Sequence, residues 1–189
     1  MAEVDTKGML RRYLQQTREA LVWKVEGLSE REARLPRTPT GTNLLGLVKH
    51  AAAVECGYFG ETFGRTWLGE PIWDEDDPQV DFYALPGETK DGIVTLYRRV
   101  WAFADETLDA LPLDALGTVA WWPPERAEVT LERVLFHVIT DLARHAGHAD
   151  ILREQLDGAT GLAVDRTNMP DLDWAAYNSK LTAIADSFG

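Results

Sequence analysis

The stretch Val134-Leu135-Phe136-His137-Val138-Ile139-Thr140-Asp141-Leu142-Ala143-Arg144-His145-Ala146-Gly147-His148-Ala149-Asp150-Ile151-Leu152 reads as one long amphipathic helix. Positions 134, 138, 141, 145, 148 and 152 advance by alternating steps of four and three, the spacing of a seam in a helical bundle. The ends of that seam, Val134, Val138 and Leu152, are ordinary core residues. Its middle, Asp141, His145 and His148, is ionisable. Burying a carboxylate beside an imidazole is costly unless a partner or a metal compensates. An earlier segment has the same anomaly: Leu47, His50 and Val54 share an apolar side, so His50 stands where a bundle wants Leu or Ala.

Residues i and i+4 of an α-helix lie about 40° apart and project from successive turns. Asp141 and His145 can therefore serve one ion together, and His50 can join them from the second helix. Three protein ligands with a fourth position left open is the pattern of a catalytic zinc site. His148, three residues after His145, then becomes a neighbour of the site that faces substrate, and His137 lies on the flank of the same stripe. The competing reading is a hydrogen-bonded Asp/His pair and a satisfied core histidine. That all three residues fall on seam positions brings the metal reading level with that one and leaves both open. The same donors also suit an iron(II) oxygenase, although such sites sit mostly on β scaffolds.

Outward from these segments, apolar periodicity predicts four long helices. The first starts near Asp5 and ends about Gly27, with Leu10, Leu14, Leu21 and Val25 buried. The second starts after Thr42 or Asn43 and ends between Gly60 and Gly64. The third follows Gly87 and runs to about Ala110, its buried side marked by Leu96, Val100 and Phe103. The fourth spans about 131–156, with Thr130 as N-cap and a stop at Gly158. A last short helix is expected from Trp174 to Ala185. Residues 65–87 and 111–128 read as long loops, rich in Trp, Pro and acid. A short helical turn and some closure over the bundle end are expected in the first of these, since long loops in compact domains are often functional. The acidic run 74–77 lacks the spacing of a calcium loop and reads as solvated. No clear strand alternation interrupts the helical patterns, so the fold class is all-α.

Composition excludes several functions. The chain has 189 residues, a length that suits a single domain over 1–189, and a formal net charge of -12. That charge argues against a nucleic-acid partner, which needs a basic face. No stretch approaches ~18 uninterrupted apolar residues, so no membrane span is expected. The single cysteine, Cys56, allows no internal disulfide and reads as a small buried apolar residue. With no basic region and apolar run at the N-terminus, these features point to the cytoplasm.

Three segments carry a likeness to known proteins: Leu44-Leu45-Gly46-Leu47-Val48-Lys49-His50, Asp141-Leu142-Ala143-Arg144-His145-Ala146-Gly147-His148-Ala149-Asp150, and Leu152-Arg153-Glu154-Gln155-Leu156-Asp157-Gly158. Together with the tail Trp174-Ala175-Ala176-Tyr177, they resemble the DinB-like superfamily. The likeness is strongest to its actinobacterial branch of mycothiol S-transferases and mycothiol-dependent maleylpyruvate isomerase. The resemblance implies a four-helix bundle, here with long loops and an extra short C-terminal helix. It implies a divalent metal, Zn²⁺ foremost with Ni²⁺ or Fe²⁺ as variants, held by one His of the second helix and two ligands of the fourth. Carried over, these are His50, Asp141 and His145. Asp141 departs from the commoner Glu or His and is one methylene shorter than Glu. His148 stands where many relatives have Gln.

The chemistry so implied is a metal-dependent thiol S-transferase or isomerase, in which the ion activates a low-molecular-weight thiol such as mycothiol against a small electrophile. His148 is the candidate catalytic proton carrier, because an imidazole titrates near neutral pH. The alternative is a non-catalytic small-molecule or metal-binding stress protein, with loop tryptophans 67, 73, 121 and 122 lining a pocket rather than packing the loops onto the bundle. Relatives that pair through their helix faces imply a homodimer.

Overall fold

A computed structural model describes residues 5–164 and 166–189. The elements in chain order are α1 (Thr6–Trp23), α2 (Glu30–Arg34), α3 (Leu44–Phe59), α4 (Lys90–Ala110), β1 (Leu116–Thr118), α5 (Pro124–Ala127), β2 (Glu128–Thr130), α6 (Leu131–Asp157) and α7 (Trp174–Asp186), with two single 3₁₀ turns at Glu61–Phe63 and Val80–Phe82. The architecture is an all-α bundle of α1, α3, α4 and α6, with an extra C-terminal helix.

Each long helix begins where a short polar side chain can cap a free amide. The Asp5 carboxylate accepts from Gly8 N at 2.8 Å, Asn43 Oδ1 from Gly46 N at 2.7 Å, Thr89 Oγ1 from Gly92 N at 3.0 Å and Thr130 Oγ1 from Arg133 N at 3.3 Å. Gly158 ends α6 with its N–H on Glu154 O. Leu10, Leu14, Leu21 and Val25 are buried as their spacing predicts.

The central helix is α3, which packs against both α4 and α6, while α1 lies against α6. Its sequence Leu-Leu-Gly-Leu-Val-Lys-His-Ala-Ala-Ala-Val-Glu-Cys-Gly-Tyr-Phe is buried almost all round, as befits a helix surrounded by neighbours. Small residues at 51–53 let those neighbours approach. The charges the central helix carries inward are paired. Arg18 Nε donates to Glu55 Oε2 at 2.9 Å, Tyr97 Oη donates to Glu55 Oε1 at 2.8 Å, and Arg18 also reaches Asp105 at 2.9 Å.

The apolar stripes of α4 and α6 differ in register from the spacing-based expectation. On α4 the fully buried positions are Ile93, Tyr97, Val100, Ala104, Thr107 and Leu108, with Leu96 and Phe103 at the margin. On α6 the buried set is Leu131, Val134, Leu135, Val138, Leu142, Ala149, Leu152 and Arg153. A straight helix drifts about 20° per heptad against a 3.5-residue repeat, so in the middle of α6 the core passes to Leu142 and Ala149. Asp141 and His145 are left half-buried at the seam's edge, and His148 is exposed.

The loop 111–128 is more ordered than its composition suggests. β1 and β2 pair antiparallel, Leu116 with Thr130 and Thr118 with Glu128, and Val119 and Val129 close over the bundle end. Three residues per strand give too little alternation to recognise from sequence. The C-terminal α7 lies apart from these contacts: Trp174, Tyr177, Leu181 and Ile184 are all exposed. Among the described residues no helix is long and apolar enough to cross a membrane.

Candidate functional site

His50, on α3, and Asp141 and His145, on α6, meet at the edge of the α3–α6 interface. One donor atom from each lies within 4.8 Å of the other two. Asp141 Oδ2 is 3.7 Å from His50 Nε2 and 3.7 Å from His145 Nε2. These are ion-pair distances and too long for hydrogen bonds. The shorter aspartate thus reaches the point that both imidazoles face. Asp141 Oδ2 and His145 Nδ1 are two of four buried side-chain polar atoms without a hydrogen-bond partner among the described residues. Buried polar atoms are nearly always satisfied, so two such atoms in one cluster of three residues call for an explanation.

A fourth residue organises the cluster, and spacing arguments miss it. Asp81 sits in the Val80–Phe82 turn of the long first loop, and its Oδ2 is 2.8 Å from His50 Nδ1. A carboxylate can only accept, so Nδ1 carries the hydrogen and Nε2 presents its lone pair toward Asp141. Phe82 stacks on the His50 ring at 4.0 Å between centroids and 19° between planes. The turn docks on the first turn of α3, where Asn43 Nδ2 donates to Phe82 O at 3.1 Å. Gly46 permits that approach, because a Cβ there would collide with the Phe82 carbonyl oxygen. The expected helical turn and closure over the bundle are therefore present, and their product is the Asp81–His50 contact. Of the acidic run before it, residues 74–76 are solvent-exposed and Asp77 is half-buried, and Asp74 and Asp77 cap local turns at Asp76 N and Gln79 N.

The electrostatics favour the metal-binding form of Asp141 and His145 but the protonated form of His50. Burial alone would raise the Asp141 carboxyl, but the imidazoles of His50, His145 and His137 outweigh it and hold the group below the usual carboxylate range. Burial pushes His145 below the ordinary imidazole range, helped by the neighbouring His50, His148 and Arg144, and it is neutral at pH 7. Burial also acts to lower His50, but Asp141 and Asp81 together raise it.

Two cavities open on the cluster. One, of about 230 Å³, reaches His145 and His148 and is otherwise walled by Thr40, Thr42, Gln79 and Phe82. The other, of about 270 Å³, reaches His50, Asp141 and Asp81 and is walled by Tyr58, Trp73, Trp121 and His137. The tryptophans thus divide. Trp67 packs edge-on against Phe103 at 5.4 Å, and Trp122 Nε1 donates to Tyr58 Oη at 3.0 Å. Trp73 and Trp121 line the second cavity, 45% and 48% exposed. His148 stands in the first cavity with its ring 5.6 Å from that of His145.

The chain resembles known proteins in both sequence and fold. No curated protein matches it. Among solved structures, that of a conserved protein from Enterococcus faecalis superposes with a TM-score of 0.58 at 18% identity, covering 83% of this chain and 100% of that one. At that identity the likeness speaks for the fold alone. The sequence model of the mycothiol-S-transferase family matches residues 9–158, from α1 through the whole of α6. That span contains the four bundle helices, the docked turn and every residue of the cluster, and the chain therefore belongs to the mycothiol-S-transferase family.

Proposed function

We propose that this protein is a metal-dependent S-transferase or isomerase that joins mycothiol, or a similar low-molecular-weight thiol, to a small electrophile. The observation that carries the reading is the buried, unpartnered Asp141 Oδ2 facing two imidazole nitrogens at 3.7 Å each. Leaving a buried carboxylate oxygen unsatisfied costs about 1–3 kcal/mol or more. A divalent cation bound by His50, Asp141 and His145 removes that cost. Two neutral imidazoles and one carboxylate suit Zn²⁺ with a fourth position open, and Ni²⁺ and Fe²⁺ accept the same donors. The donor atoms stand 3.7 Å apart in the two Asp141–imidazole pairs and within 4.8 Å overall, and would draw together to share one ion. When bound, such an ion lowers the pKa of a thiol enough to yield thiolate at neutral pH.

The chain's own residues supply the rest. Asp81 holds His50 in the tautomer that offers Nε2, as carboxylates behind metal-binding histidines do. Burial keeps His145 neutral and available. His148, beside His145 in the first cavity, is placed to take the thiol proton. In the reaction a sulfur–carbon bond forms. For an addition, the acceptor's π bond breaks and the proton ends on the acceptor. For a displacement, the proton leaves with the departing group. Neither needs a further co-reactant. A reduced thiol cosubstrate and one buried cysteine suit a cytoplasmic setting.

The test is to incubate the purified protein with mycothiol and an electrophile and to follow the S-conjugate by mass spectrometry. Conjugate formed by the wild type and lost in His50→Ala supports the reading. Ligand binding without turnover over a panel of electrophiles overturns it in favour of a sequestering protein.

A further inference from the structure

We infer that the cavity walled by Trp73, Trp121, Tyr58 and His137 is the acceptor site, and that it selects flat aromatic electrophiles, while the thiol enters through the separate cavity at His145 and His148. The assignment rests on the S-transferase reading above and on the contrast between the two linings. The cavities share no wall residue. One reaches the cluster through His145 and the other through His50 and Asp141, so two reactants can approach it at once.

The chemistry of the walls differs. Around His148 the wall combines Thr40, Thr42, Asn43 and Gln79, side chains able to hydrogen-bond, with Leu47 and Phe82. Such groups match a thiol carried on a polyhydroxylated body. Beside Asp141 the wall carries three large aromatic side chains, Tyr58, Trp73 and Trp121, next to the polar cluster itself. The Tyr58 ring meets Trp121 edge-on at 5.1 Å between centroids and 71° between planes, and tilts against His137 at 4.8 Å. Tyr58 is itself buried under these rings, whereas Trp73 and Trp121 stay exposed and can take a further ring, a contact worth more than the area it buries.

Gly57 shapes the slot from below. A Cβ on it would lie 3.1 Å from Trp121 and 3.2 Å from Trp73, closer than side chains normally sit. Its lack of a side chain is what lets both indoles descend onto α3. An apolar cavity of about 150 Å³ already accepts benzene, so about 270 Å³ holds one ring with a short reactive arm. His137 supplies the polar contact. Its ring lines the cavity, and an imidazole carries at least one N–H that can donate to an acceptor's carbonyl oxygen.

The test uses 4-phenylbutan-2-one, a saturated ketone inert to thiols, as a binding probe. It uses 4-phenylbut-3-en-2-one and methyl vinyl ketone as aromatic and aliphatic acceptors. Binding is read by tryptophan fluorescence quenching, and KM is measured separately for mycothiol and for each acceptor. Trp121→Ala is expected to raise the Kd of the probe and the KM of the aromatic acceptor about tenfold, with the KM of mycothiol within twofold. Gly57→Ala, which adds a methyl group under the indoles and favours helix, is expected to act in the same direction should Trp121→Ala fold poorly. Equal rises in the KM of mycothiol and of the aromatic acceptor, or a probe Kd that neither variant moves, overturn the assignment. A wild type that binds the probe at this site but forms no conjugate with either acceptor refutes the transferase reading, and the acceptor role falls with it.

Discussion

Replacing Asp81 with alanine tests how the proposed metal site is held together. The Nδ1–Oδ2 contact of 2.8 Å is the hydrogen bond that fixes the His50 tautomer. Both side chains are largely shielded, at 14% and 15% exposure, so water replaces the bond poorly. Removing a carboxylate behind a metal-binding histidine typically weakens affinity about 10–100-fold, or about 1.4–2.8 kcal/mol. The stacked Phe82 still restrains the ring after the substitution, which places Asp81→Ala near the middle of that range, about 30-fold. Asp81→Asn keeps an acceptor without the charge and falls lower, at about tenfold. Gly46→Ala approaches the same contact from outside: its methyl group displaces the Val80–Phe82 turn and draws Asp81 away without altering either partner. Zn²⁺ affinity is read by competition with a chromophoric chelator, and melting of the metal-free proteins serves as the control for folding. Wild-type affinity in both Asp81→Ala and Gly46→Ala would refute the reasoning.

Three further outcomes are expected. Glu55→Ala leaves the Arg18 guanidinium buried without its main counter-charge, which costs about 3–5 kcal/mol and lowers the melting temperature steeply. The double variant Arg18→Met/Glu55→Leu should recover most of that loss, and a double variant as unstable as the single one would contradict the account. Burial pushes the Cys56 thiol up to about 12, so the native protein should resist Ellman's reagent and release one equivalent on unfolding; rapid reaction of the folded protein would show the cysteine to be accessible. Metal affinity should fall with pH. His50 is raised above its ordinary imidazole value, so its proton competes with the ion from above that value downward, and chelator competition should show the affinity falling as the pH drops from 8 to 6; an affinity constant over that range would contradict the account. In the metal-free protein the sign reverses: the charged His50 contributes stability that is full below its unfolded pKa and lost as pH rises through the raised folded one.

The residues of this chain announce its helices far better than its site. Asp5, Asn43 and Thr130 mark helix starts because capping is a local interaction, legible in a few residues. Leu10, Leu14 and Leu21 show their face because one long helix repeats the same geometry, while Val25, expected on the same helix, is buried in the turn after it. The seam of α6 is harder to read. Steps of four and three locate Val134, Val138 and Leu152, but accumulated twist hands the core to Leu142 and Ala149 and leaves His148 in solvent. The convergence of His50, Asp141 and His145 is visible in their placement on two apolar faces and in the resemblance to the DinB-like superfamily. Asp81 is not, because its contact with His50 spans 31 residues of chain and depends on where a loop lands. Nor is the Arg18–Glu55–Tyr97 group, whose members lie on three helices and pair only once the bundle has closed.

The most direct test of the central claim is the metal content of the protein as purified, measured by elemental analysis beside His50→Ala and Asp141→Ala. The account predicts about one divalent ion, foremost zinc, per chain in the wild type and a near-complete loss in both variants, each still helical by circular dichroism. A wild type that carries no stoichiometric metal, takes none up from added Zn²⁺, Ni²⁺ or Fe²⁺, and is unchanged by chelation would contradict it.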